Sequence, residues 1–491
     1  MQITKSDFLR YRQCPENFWM SKYKQESLNK SDVDPFVQQI IDQGHEVEAW
    51  ARKLFPAGQM INTWKQKALD DTAAAIVSGA EILFQPAIAA DGISARIDIL
   101  EKVGDSWNIY EVKGTTSKDK KKSDHYWDAI FQREVMTRAG FKINDIYLVE
   151  LNKEFRKNGD IDPDTLLKKT LITEELESMN EEVRQEINLA KAQLAVTVQP
   201  ANCNCHLKSR KNQCPAFSVF NLDFPAYAVH DIARVSPKKL DQFDEIGVVA
   251  VDDIPTDFEL TPNQYGQVWT YQQDETIIKP DKIAEQLEEL EYPLYFLDYE
   301  TFPTAVPVYD GCYPFQQVPF QYSLHVLETP DGEYQHYEFL ETTTISPIRS
   351  IAESLCDVIG EKGSVIVWNK KFEKKCNEDL ATMNPDLANQ INSINSRLFD
   401  LMEIFSKQNY IHKDFKGKSS IKKVLPVICP ELKYDDLAIA DGGAACSSWK
   451  QMVFGKSTTE QQAAIAKDLL KYCKLDTWAM VRIWEEMKKM V

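Results

Sequence analysis

Hydrophobic spacing along this chain changes period several times, and the changes mark its elements. Residues 6–24 and 36–55 read as helices. Four short apolar runs read as strands: "AEILFQPAIA" (80–89), "ISARIDILEKV" (93–103), "SWNIYEVKG" (106–114) and "DIYLVELN" (145–152). Gly104-Asp105 predicts a hairpin between the second and third. A charged helix over 173–195 leads into a group of cysteines, so residues 1–215 read as one α/β unit. Residues 216–290 read as a linker with a helix, a Gly-Val turn and a second apolar stretch. From 291 the pattern gives strands at "YPLYFLDYETF", "FQYSLHVLE" and "GEYQHYEFLE", a helix at "PIRSIAESLCDVIG", a strand at "SVIVWN" and a helical tail from 459. Strands first, then helix and strand in alternation, predict a mixed sheet with helices on its faces.

Length and composition narrow the class. A chain of 491 residues, 43% hydrophobic and 27% charged, has the balance of a soluble protein of about two to four domains. No apolar run reaches the length of a membrane span, and the N-terminus lacks the apolar stretch of a secretory signal. A cytoplasmic location is expected. The net charge of -18 argues against passive, sequence-independent wrapping of nucleic acid. It leaves room for an enzyme, because metal-holding carboxylates add to the negative count. Basic runs at 118–122, 206–211 and 413–423 either meet phosphates or are solvated faces.

The first candidate chemistry lies in "YFLDYETF" (295–302). Asp298 and Glu300 are two apart on a strand, so both point to one face, where their like charges repel. Glu373 enters a helix after "VIVWN", and Tyr472 and Asp476 share a helix face at i, i+4. Four acids from three segments suit two divalent ions, with the tyrosine placed to orient a water. "FLDYET", "NKKFE" and "YCKLD" resemble the three motifs of the DEDDy branch of ribonuclease H-like 3′–5′ exonucleases, over roughly residues 291–491. The resemblance implies that Asp298, Glu300, Glu373 and Asp476 hold metal beside Tyr472. The family usually has Asp where this chain has Glu373. Glu378 and Asp379 are fallback ligands, and Asp400 stands where such domains often carry a further Asp. "SSIKKVLPVICPEL" (419–432) either brings basic groups to the site or is a helix stopped by proline.

A second set of acids lies upstream. Asp98 is expected in mid-strand, and Glu111 and Lys113 on one face of the next. A lysine beside two carboxylates serves metal-dependent hydrolysis, or is simply an ion pair on a hairpin. With Gln132 on a later helix, these residues resemble the PD-(D/E)xK core of RecB-type nucleases. That family usually supplies a metal-binding His where this chain has Glu48; His45 is out of register, and Met136 replaces a frequent Tyr. Some relatives hold a [4Fe–4S] cluster with one cysteine before the core and three after it. Cys14, Cys203, Cys205 and Cys214 match in number and position, although Cys-x-Cys-x8-Cys is an unusual spacing. Four thiolates serve such a cluster or a zinc ion, His206 could replace one of them, and unliganded thiols are the third option.

The whole chain resembles a bacterial family that joins a RecB-type nuclease (1–215), a helical connector (216–290) and a DEDDy exonuclease domain (291–491). This implies an α/β fold: an N-terminal PD-(D/E)xK restriction-endonuclease-like domain and a C-terminal ribonuclease H-like mixed-sheet domain. The expected activity is metal-dependent hydrolysis of nucleic acid, DNA ends or single strands before RNA, with Mg2+ or Mn2+ at both sites. In the other reading the N-terminal domain only binds nucleic acid.

Overall fold

The computed structural model describes residues 2–28, 35–116, 124–434 and 437–491. The basic run at 118–122 lies outside the described residues. The chain forms two compact units, Met1–Leu207 with Lys211–Phe224 and Thr304–Gln316, and Lys208–Arg210 with Pro225–Pro303 and Gln317–Val491. Both are α/β, each built on a mixed sheet.

The first unit holds a six-stranded sheet whose spatial order follows the chain. Its strands are β1 (Gln59–Met60), β2 (Ile82–Phe84), β3 (Ile99–Val103), β4 (Ser106–Lys113), β5 (Ile143–Leu151) and β6 (Leu167–Leu171). β1 with β2 and β4 with β5 run parallel, and the other pairs are antiparallel. Gly104, at φ 60°, opens the predicted two-residue turn between β3 and β4. Residues 107–111 of central β4 are all buried, because apolar clusters cover both faces of the sheet. Helix α1 (Asp124–Arg138) packs on one face. On the other, Val47, Phe55 and Phe155 pack with Ala305 and Val306.

Two predicted strands are each cut in half. The run 80–89 breaks at Gln85-Pro86, where Gln85 has φ 55° and Pro86 has no N–H for the ladder. The run 93–103 breaks at Ile97-Asp98. The inner halves, Ala87–Ala90 and Ile93–Arg96, form a hairpin in a separate small sheet with Ile3–Thr4. Gln85 N–H to Asp98 O, 3.0 Å, and Ile97 N–H to Pro86 O, 3.0 Å, close the corner. Asp98 therefore stands at a junction between sheets rather than in mid-strand.

The second unit carries a five-stranded sheet. Its strands are β7 (Leu294–Phe302), β8 (Val318–Leu327), β9 (Gln335–Leu340), β10 (Ser364–Val367) and β11 (Leu398–Asp400), in spatial order β9-β8-β7-β10-β11. β9, β8 and β7 are antiparallel neighbours, whereas β10 and β11 run parallel to β7. Alternation along β7 decides what each face carries. Phe296 meets Trp484 of the long helix Thr459–Lys489 at 5.8 Å, so Asp298 and Glu300 share that helix's side. Tyr299 faces the other way and donates to Asn377 Oδ1 at 2.7 Å, on helix Lys370–Met383.

Residues 216–290 are mostly helical. Ser236 caps Pro237–Glu245, Gly247 turns the chain at φ 69°, and a Thr261–Gln264 capping box opens Pro262–Gln273.

Candidate metal centres

Asp298 and Glu300 from β7 and Asp476 from the long helix each bring a carboxylate oxygen within 4.8 Å of the others. They line a cavity of about 210 Å³ with Trp368, Phe372 and Met480 among its apolar walls. Tyr472, one turn before Asp476, lines it too. Burial, then the charges of Asp476 and Glu300, push the Asp298 carboxyl well above the usual range. Burial and Asp476 do the same to Glu300. Asp476 is pushed up to about 6 by burial, against the hydrogen bond from Tyr434 and the charge of Lys422. Tyr434 Oη donates to Asp476 Oδ1 at 2.5 Å. Lys422 lies over the rings of Tyr434 and Tyr472 at 5.7 and 5.6 Å, and its Nζ donates to Ala440 O. Three clustered acids facing one lysine leave negative charge that a bound cation would neutralise.

Glu373 lines the same cavity but stands outside the three-acid group. It is buried, its Oε2 has no hydrogen-bond partner, and burial lifts its carboxyl to about 8. An orphaned oxygen at this place fits an outer ligand to a metal. The other acids named from sequence do not line the cavity. Asp379 pairs with Lys375 at 2.8 Å and Glu378 is half-exposed beside Lys374. Asp400 accepts the N–H groups of Lys370 and Met402, both at 3.1 Å, and so fixes the chain around two helix starts. Lys422 lies in the segment from which sequence drew its basic groups. Tyr434 carried no motif, and only the fold brings it to Asp476.

In the first unit all five named residues gather near the β3–β4 edge. Asp98 Oδ2 accepts Val112 N–H at 2.8 Å, and Asp98 Oδ1 accepts Gln85 Nε2 at 3.2 Å. The same Gln85 nitrogen donates to Glu48 Oε1 at 2.8 Å, and Glu48 also pairs with Arg52. Gln132 Nε2 donates to Glu111 Oε2, and Lys113 reaches Glu111 at 2.7 Å. Three further participants escaped the sequence reading: Lys5, Asp128 and Gln85. Lys5 Nζ lies 2.9 Å from Glu111 and 3.7 Å from Asp128, which also pairs with Lys113. Asp128 sits one helical turn before Gln132, a spacing that could have found it. Lys5 is 106 residues from Glu111, and no local pattern links them.

The two sites differ in charge balance. Burial opposes ionisation of Glu111, yet the Lys113 and Lys5 ammonium groups outweigh it and hold its carboxyl below the usual range. Asp98, pushed up by burial and then by Glu111, reaches about 7. Here lysines occupy the space between acids, and among the described residues no three acids bring ligand oxygens within 4.8 Å of one another. Lys5→Ala should therefore destabilise this unit by about 2 kcal/mol, less than the loss from a fully uncompensated buried charge, because Lys113 remains. A lower urea midpoint with an unchanged slope would register it.

Cys14 closes helix Lys5–Gln13 and opens helix Pro15–Tyr23, where its sulfur accepts Asn17 N–H. Its Sγ and those of Cys203, Cys205 and Cys214 all lie within 4.8 Å of one another, and all four cysteines are free. Cys214 Sγ is 3.5 Å from Cys14 Sγ and 4.0 Å from Cys203 Sγ. Hydrogen bonds among the four sulfurs couple their protons, holding the Cys205 and Cys214 thiols below their usual range and pushing Cys14 and Cys203 above it. His206 is outside the set; its Nδ1 lies 3.3 Å from Cys203 O.

These features define an α/β protein with one sulfur site and one carboxylate site, each spaced to hold a cation. Among the described residues no helix is long and apolar enough to cross a membrane. A family model described as a domain of unknown function (DUF2779) matches residues 295–420, which include β7 and Glu373. The chain is 29% identical over 220 residues to the uncharacterized protein MG366 homolog of Mycoplasma pneumoniae, a match covering 41% of this chain and 33% of that protein. It is 27% identical over 220 residues to the uncharacterized protein MG366 of Mycoplasma genitalium, with the same coverage. It is also 27% identical over 218 residues to the uncharacterized protein UU173 of Ureaplasma parvum, covering 40% of this chain and 31% of that one. The chain thus spans about a third of the length of the curated relatives it matches.

Proposed function

We propose that this chain is a metal-dependent nuclease whose main catalytic centre is the Asp298–Glu300–Asp476 cluster, in a ribonuclease H-like exonuclease domain of the DEDDy type spanning 291–491. One observation carries the reading: three carboxylates from two distant segments, Glu300 and Asp476 buried and Asp298 half-buried, converge within 4.8 Å and face a single lysine among the described residues. Asp298, Glu300 and Asp476 would hold Mg2+ or Mn2+, with Glu373 as outer ligand. Bound there, the ions supply an activated water and neutralise charge at the leaving oxygen. Tyr472 orients that water, and Tyr434 fixes the Asp476 carboxylate. Lys422 adds positive charge toward a phosphate at the cavity. The substrate is the phosphodiester backbone, DNA ends or single strands first, digested from the 3′ end.

Residues 1–215 are proposed as a PD-(D/E)xK domain, joined through 216–290. There Glu111 and Asp98, with Glu48, are the acids and Lys113 the charge-stabilising lysine. A second reading has support from Lys5: with two ammonium groups already balancing Glu111 and Asp128, this domain binds the strand without cutting it. Digestion of end-labelled single- and double-stranded DNA and RNA under Mg2+, Mn2+ or EDTA tests both readings. Loss of cutting in Asp298→Ala but not in Glu111→Ala supports the binding role, whereas loss of a separate activity in each supports two nuclease sites. Metal-dependent digestion from the 3′ end that persists in both Asp298→Ala and Asp476→Ala would remove the main proposal.

For the cysteines, spacing supports a single tetrahedral ion. Four thiolates at about 2.3 Å from one zinc stand about 3.8 Å apart; two of the sulfur pairs here are 3.5 and 4.0 Å apart and all four sulfurs lie within 4.8 Å of one another. A four-iron cube sits between its cysteines and would spread them. Purified chain should carry one zinc by elemental analysis and lack the visible absorption of an iron–sulfur centre. Cys205→Ser should lose the metal and unfold the first unit at lower denaturant.

A further inference from the structure

Away from the acid cluster, the second unit holds a larger cavity of about 680 Å³. Its walls combine flat rings with lysine ammonium groups. Trp478 is half-buried, with His325 at 5.3 Å and Tyr334 edge-on at 5.5 Å between ring centres. His325 and His336 are cross-strand partners on β8 and β9, 4.5 Å apart. Burial, then neighbouring positive groups, lowers His325 to about 3; burial and Lys474 lower His336 to about 4. Both rings are thus neutral near pH 7 and offer faces and hydrogen-bonding nitrogens rather than charge. Their polar anchors are internal: His325 Nδ1 meets Thr477 Oγ1 at 2.8 Å, and His336 Nε2 meets Ser323 Oγ at 2.9 Å.

The charge comes from Lys433, Lys471 and Lys474, which form no ion pair among the described residues. The one acid in the wall among the described residues, Glu431, is engaged by Arg482 at 3.4 Å. In a chain of net charge -18, three lysines around an aromatic cavity, unpaired among the described residues, are a local exception. Rings that stack and ammonium groups that meet an anion together select a ligand that is both aromatic and negatively charged. The volume suits a ligand of that size.

We propose that this cavity binds a nucleotide, its base against Trp478 and its phosphate among Lys433, Lys471 and Lys474. The nucleotide is either free or one residue of a strand. The site also bears on the acid cluster. The long helix carries Lys471, Lys474 and Trp478 on its cavity face and Tyr472 and Asp476 on the other. Leu432 and Lys433 line the cavity, while neighbouring Tyr434 donates to Asp476. A ligand seated here touches both elements that position Asp476.

Calorimetry on the full chain in EDTA tests this while metal-dependent cutting is silent. The probes are 5′-AMP, adenosine, inorganic phosphate and a ten-nucleotide oligodeoxythymidylate. 5′-AMP should bind at least about tenfold more tightly than adenosine or phosphate. Trp478→Ala and the double change Lys471→Gln, Lys474→Gln should each weaken it about tenfold or more, while Trp478→Phe retains binding. If only the oligonucleotide binds and the same variants weaken it, the ligand is a residue within a strand. Binding unchanged in the lysine variant, whose altered side chains are exposed, overturns the proposal, as does equal affinity for phosphate alone. Asp298→Asn should bind as the native chain does, so failure of the nuclease reading and failure of this one remain distinguishable.

Discussion

In EDTA at pH 8.5, Asp298→Asn should melt above the native chain, and added Mn2+ should raise the melting temperature of the native chain alone. The same substitution should lower metal-dependent cutting about a thousandfold or more, roughly 4 kcal/mol of transition-state stabilisation. Both effects have one cause. Asp298, Glu300 and Asp476 are held together against burial and mutual repulsion, and one lysine offsets only part of it. An amide at position 298 keeps the shape and needs neither a proton nor a charge in the cluster, a relief of about 2 kcal/mol, or roughly 4–8 °C for a unit of this size. A surface group would give neither result, and a purely structural acid would give the opposite sign. Calorimetric melting of both proteins with and without Mn2+ reads the difference. A lower melting temperature for Asp298→Asn in EDTA would count against a cation site.

The second large effect is the dependence of metal-free stability on pH. Asp298 and Glu300 lie well above the ordinary carboxylate range, Asp476 reaches about 6 and Glu373 about 8. Each raised value means that the folded chain holds a proton the unfolded chain has released. Between about pH 4 and pH 8 the folded state therefore binds more protons, and stability falls as pH climbs. Asp476 alone contributes roughly 3 kcal/mol over that span, at about 1.4 kcal/mol per unit. Asp98, raised to about 7, acts in the same direction. Glu111, held low by lysines, contributes stability that is lost only on acidification below the usual carboxylate range, so it does not cancel the trend. Urea unfolding in EDTA should give a higher midpoint at pH 5.5 than at pH 8.5. Mn2+ should reverse the order, because it takes the deprotonated acids. Asp298→Asn should flatten the metal-free profile, which separates the cluster from the general repulsion of an acidic chain. A profile that rises with pH in EDTA would contradict the burial of these acids as charged neighbours.

What could be read from sequence was local. The i, i+2 pair Asp298 and Glu300 and the i, i+4 pair Tyr472 and Asp476 are fixed by strand and helix geometry, so their shared faces were visible before any fold. The Gly104-Asp105 turn was legible for the same reason. Asp98 was misplaced because an apolar run does not reveal that its strand changes sheets; only Pro86 hinted at the corner, from the partner run. Glu373 entered its helix as expected, but distance from the three-acid group is a tertiary fact. Lys5, Gln85 and Tyr434 owe their roles to contacts across the chain, and no spacing rule reaches them. The aromatic cavity joins two strands, a loop and the long helix, and its residues on that helix are not those of the Tyr472–Asp476 motif.

The strip Thr304–Gln316 is encoded between two strands of the second sheet but completes the first unit. Ala305 N–H there bonds Gln43 Oε1 at 2.9 Å, and Gly311 N–H bonds Lys157 O at 2.7 Å. A gene truncated before residue 304 would thus make an upstream half with an uncovered apolar patch around Val47 and Phe155. The first unit therefore closes only once the chain has laid down a strand of the second sheet.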